Sequence, residues 1–81
     1  MNKRTFILQF GDKDGEHHNS DDVINLLTVR ILETYLIYIS KTEIPFEVVG
    51  DLRKLVSEKI LKNSQLKMYS VEIDFENDIV V

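Results

Sequence analysis

The stretch from Asp21 to Ser40 constrains this chain more than any other, because it is apolar on too many sides for an ordinary surface helix. Ser20-Asp21-Asp22 opens it with side chains that can accept from the free amides of a first helical turn, and their negative charge suits the positive end of the helix dipole. Projected at about 100° per residue, Leu27, Tyr38, Ile31, Ile24, Tyr35, Ile39, Leu32, Leu36 and Val29 fall on one arc of roughly 200°. The remaining face carries Arg30, Glu33, Thr34 and Ser40, but Val23, Leu26 and Ile37 interrupt it. A helix covered on one side has no need of those three. They imply either a helix nearly surrounded by the rest of the fold or a second contact surface. Val23, Leu26 and Ile37 are therefore the expected interface of a homodimer, the two-fold dimer being the commonest oligomer.

The flanking segments say what this helix packs against. Phe6, Leu8 and Phe10 alternate with Ile7 and Gln9, which predicts a short strand over 5–10 with its aromatic side inward. Residues 11–19 carry no apolar side chain and two glycines, and read as a turn or loop. After a connector, Pro45 suits the first turn of a second helix running to about Lys62. Its buried stripe is Val48, Val49, Leu52, Leu55, Val56 and Ile60, and Glu47, Asp51, Lys54, Glu58 and Lys62 lace its outer side. Gly50 weakens a helix interior by about 1 kcal/mol, and close packing against helix one would account for it. Asn63-Ser64 reads as the stop.

The cleanest alternation lies over 67–76. Tyr69, Val71, Ile73 and Phe75 point one way, and Met68, Ser70, Glu72, Asp74 and Glu76 the other. Asn77-Asp78 reads as a turn into Ile79-Val80-Val81, a candidate third strand or an addition to another chain's sheet. The expectation is an α+β fold, β-α-α-β with an optional last β: two helices packed on a small antiparallel sheet of two or three strands. A two-stranded sheet is marginal by itself, so dimerisation is the expected way to complete it.

At 81 residues the chain is expected to form a single domain over 1–81. Without cysteine there is no disulfide framework, zinc–thiolate site or thiol nucleophile. The apolar run at residues 6–10 is too short for a secretory signal, and no run of 18 apolar residues exists to span a membrane, which points to the cytoplasm.

The chemistry-bearing residues are best weighed against their plainer readings. Asp12, Asp14, His17 and His18 crowd the 12–22 loop and are the candidates for a divalent metal. Their spacing fits no calcium loop, and adjacent histidines do not converge on one ion, so a solvated loop is preferred and no cofactor is assigned. No serine stands in a nucleophile setting and no glycine-rich phosphate loop is present, so the chain is read as non-enzymatic.

Arg53, Lys54, Lys59 and Lys62 on the second helix offer a nucleic-acid surface, concentrated by a dimer. Acids interleave with them, and the net charge of −4 has the wrong sign for phosphate. The stronger lead is the acidic C-terminal end. Glu72, Asp74 and Glu76 share a strand face, with Asp78 following, so that a row of carboxylates about 6.5–7 Å apart could meet a basic surface on another protein. The plainer reading of that row is a charged strand face that resists aggregation. Sequence alone thus points to a small regulator, inhibitor or immunity-type protein that binds a partner, with charge reversal at Glu72, Asp74 and Glu76 expected to abolish partner capture while shifting stability by no more than about 0.5 kcal/mol per site.

Overall fold

The computed structural model describes residues 2–10 and 20–80. The order is β1 (Lys3–Gln9), α1 (Ser20–Tyr38), α2 (Phe46–Lys59), β2 (Leu61–Asn63) and β3 (Met68–Asp74). The strands form one antiparallel sheet in the order β1-β3-β2. Both helices cover one face of it, giving the expected α+β fold.

β3 sits in the middle because its inward side chains are the apolar ones. Val71 and Ile73 are buried and Glu72 is exposed, the period of two that a half-covered strand requires. Against them pack Val23, Ile24, Leu27, Ile31 and Tyr35 of α1, with Leu52 and Val56 of α2. Each such side chain contributes about 1.5–3 kcal/mol on leaving water. Thr28 also faces inward, its hydroxyl satisfied by donating to the Ile24 carbonyl one turn back at 2.6 Å.

Phe75 closes the core at the end of β3. Its ring lies 5.3 Å from both Tyr35 and Tyr38 and 6.2 Å from Phe6, and Arg4 lies 5.9 Å from its centroid. The tilted and edge-on geometries are those that aromatic quadrupoles favour. This cluster ties the C-terminal half of α1 to β1 and β3. The Tyr38 hydroxyl adds a bond to Asn2 Oδ1 at 2.8 Å.

α1 stops two residues before the expected Ser40. Ser40 takes a left-handed conformation (φ 55°), its amide donates to the Ile37 carbonyl, and the Lys41 amide donates to the Leu36 carbonyl. That pair of bonds is the Schellman arrangement, with serine where glycine is commonest. α2 also stops early. Ile60 is extended (ψ 136°) and the chain passes directly into β2, so the third strand is Leu61–Asn63; of the expected Ile79-Val80-Val81, the first two are not in a strand and Val81 lies outside the described residues. Asn63 does not cap a helix. Its Oδ1 accepts the Leu66 amide within the loop that returns to β3, where Lys67 has φ 52°. The C-terminal segment instead turns over Phe75–Asp78 and inserts Ile79 into the core.

Gly50 is a correction as well. A methyl group placed on it meets nothing within 4 Å, so packing against α1 is not the reason for it. The residue faces solvent with an ordinary helical backbone. Gly50→Ala should therefore stabilise the protein by about 0.5–1 kcal/mol, seen as a rise of several degrees in melting temperature. Phe75→Ala should cost about 3–5 kcal/mol, enough to leave a protein of this size largely unfolded in a urea titration.

Candidate functional site

The face of the sheet turned away from the helices is a grid whose positions are fixed by register. Lys3 stands opposite Asp74, Thr5 opposite Glu72, Ile7 opposite Ser70 and Gln9 opposite Met68. β2 extends two of these rows, with Leu61 beside Ser70 and Asn63 beside Met68. Adjacent strands lie about 4.8 Å apart, so Ile7 and Leu61 flank the small Ser70 at about 10 Å from each other. Both are exposed, as is Leu66 in the following loop, and Met68 is half-buried beside them. The face is apolar at this end and charged at the other, around Lys3, Thr5, Glu72 and Asp74.

The acidic row is shorter than its sequence suggests. Glu72 and Asp74 lie on the open face, but β3 ends at Asp74, and neither Glu76 nor Asp78 continues the row. The reason is the Asp74 carboxylate, which accepts the Glu76 amide at 2.9 Å, the Asn77 amide at 3.4 Å and the Asn77 side-chain amide at 2.8 Å. An aspartate that bonds to the backbone two residues ahead starts a turn and ends a strand. Asp78 then folds back: its amide donates to the Asp74 carbonyl at 2.8 Å, and its Oδ2 accepts the Asp74 amide at 2.8 Å. In this way Asp78 stands in for a neighbouring strand where β2 has run out. Lys59 reaches the same oxygen at 3.1 Å, so α2 is held to the turn.

The same contacts separate the bases expected to form one surface. Arg53 bonds to Asn25 of α1 at 2.7 Å and pairs with Asp21 at 3.6 Å. Lys59 faces Asp78. Lys62 is not on α2 at all but on β2, its ammonium 5.8 Å from the Phe10 ring and 5.7 Å from that of Tyr69. Lys54 stands exposed on α2.

The expected dimer residues also divide. Val23 is fully buried, one turn before Leu27 on the core stripe of α1, and so is a core residue rather than an interface residue. Leu26 and Ile37 are exposed, at 47% and 80%, and Val29 joins them. The metal candidates Asp12, Asp14, His17 and His18 lie outside the described residues. Among the described residues, no three acidic, histidine or cysteine side chains group together as metal ligands. None of the described helices is long and apolar enough to cross a membrane.

Sequence reasoning passed over Ile7 and Leu61. The first was visible as the apolar residue on the wrong side of the β1 alternation; the second was hidden by the misplaced end of α2. Compared with protein-family models, curated proteins and solved structures, the chain matches none.

The Asp74 carboxyl is held below the usual carboxylate range, first by the Asn77 side-chain amide, then by the Glu76 amide, with the Asn77 amide and the charge of Lys3 adding to the effect. A lowered folded-state value means that the ionised form stabilises the fold. That contribution is present above about pH 4 and is lost as pH falls through the lower folded value. Asp74→Asn should therefore melt below wild type at neutral pH, and the gap should close as the pH is taken toward 2. A gap that stayed constant down the pH series would show that the charge is not what matters.

Proposed function

We propose that this chain is a small acidic, non-enzymatic, cytoplasmic protein-interaction module that acts as a regulator, inhibitor or immunity-type protein by binding a partner protein. The observation that carries this reading is the open face of the sheet, where Ile7, Leu61 and Met68 surround Ser70 at one end and Glu72 continues the surface toward the charged end. Antiparallel sheets commonly leave one face to water, but the residues on it are then polar. Exposed apolar side chains grouped beside charge are what a protein contact uses.

The partner best matched to this face has an apolar spot next to a basic one. Glu72 supplies the acidic contact, and Asp74 is partly engaged by its own turn and by Lys3 across the strand pair. A charge of this kind chiefly governs the rate of encounter and the choice of partner.

The test compares proteins retained from host extract by the immobilised wild type with those retained by Leu61→Glu, by Glu72→Lys and by Lys54→Glu on the far side. A partner held by wild type and Lys54→Glu but lost by the two sheet-face variants is the expected result. Retention by all four would remove the sheet face from consideration. Glu72→Lys should shift stability by no more than about 0.5 kcal/mol, as surface changes usually do. Asp74 is unsuited to the same experiment, because reversing its charge would open the turn it holds.

A further inference from the structure

The outer side of α1 has a symmetry of its own. Leu26 and Ile37 lie on one stripe, eleven residues apart, and both project into solvent. Between them on the same side stand Arg30 and Glu33, both exposed and opposite in charge. Both pairs share one midpoint, between Ile31 and Leu32. Turned end over end about that midpoint, the helix sets Leu26 against Ile37 and Arg30 against Glu33.

We infer that α1 pairs with α1 of a second copy of this chain, antiparallel about a two-fold axis near Ile31–Leu32. Leu26 of one protomer then faces Ile37 of the other, and Arg30 faces Glu33, each contact occurring twice as two-fold symmetry requires. A shallow depression of about 490 Å³, lined among the described residues by Asp22, Asn25, Leu26 and Val29, lies where the partner's Ile37 would seat. Arg30 uses one terminal nitrogen, Nη1, on the Ile7 carbonyl at 2.7 Å, which holds its side chain in place while its remaining donors can serve Glu33. A parallel pairing would set Leu26 against Leu26 but also Arg30 against Arg30 and Glu33 against Glu33. The antiparallel arrangement avoids both repulsions.

This inference does not rest on the partner reading, since the outer side of α1 and the open face of the sheet lie on opposite sides of the two layers. Each can fail while the other stands.

Sedimentation velocity across a concentration series tests it. Wild type should move from monomer to dimer as concentration rises. Leu26→Glu, Glu33→Arg and Arg30→Glu should each remain monomeric while keeping a helical circular-dichroism spectrum. An equimolar mixture of Glu33→Arg with Arg30→Glu should dimerise, because each unlike pair then faces its complement. Wild type that stays monomeric at every concentration overturns the inference, as does a dimer that survives Leu26→Glu. A mixture that fails to associate while wild type does so overturns the antiparallel register. Leu26→Glu and Glu33→Arg leave the Ile7 contact alone, so they decide the matter even if Arg30→Glu does not fold.

Discussion

Every other part of this fold leans on the two-sidedness of β3. Val71 and Ile73 face the helices, and Phe75 continues their side into the aromatic cluster, so both helices and both neighbouring strands are positioned by this one segment. A slip of one residue would bury Glu72 and expose Val71 and Ile73, a change no core of this size could absorb. The register is therefore set by burial. The strand's end is set separately, by a carboxylate that prefers its own backbone to a neighbour's.

The parts of the fold that were legible in the amino-acid sequence are those with a long, uniform period. The alternation over 67–76 identified β3 and its inward residues, and the helical stripe Ile24, Leu27, Ile31, Tyr35 identified the core side of α1. What escaped was short or double-valued. Ile60 and Lys62 continue the apolar and charged spacing of α2, so the strand Leu61–Asn63 had no pattern of its own. Val23 lies at the margin of the core arc, where only the placement of neighbouring elements decides whether a residue is covered. Gly50 invited a packing explanation, yet the space beside it is open.

The candidate surfaces show the same division. The acidic run was legible as charge, but its geometry depended on side-chain-to-backbone bonds that no periodicity reveals. Asp74 and Asp78 build the turn more than they decorate the face. The bases of the 53–62 region likewise act as ties: Arg53 holds α2 to α1, and Lys59 holds it to the turn. Charged side chains thus serve as fasteners between elements of this small fold, each contributing modestly at an exposed position.

Arg30 has a consequence of a different kind. The hydrogen bonds at the ends of the β1–β3 pair come from Asn2 and Phe10, so by alternation the odd-numbered residues of β1 turn their amides and carbonyls outward. Such an edge is a template onto which another chain can add without limit. The guanidinium of Arg30 sits on the Ile7 carbonyl near the middle of that edge, and a newcomer would have to displace it. One cation borrowed from the helix layer thus stands in the way of a strand added at that carbonyl.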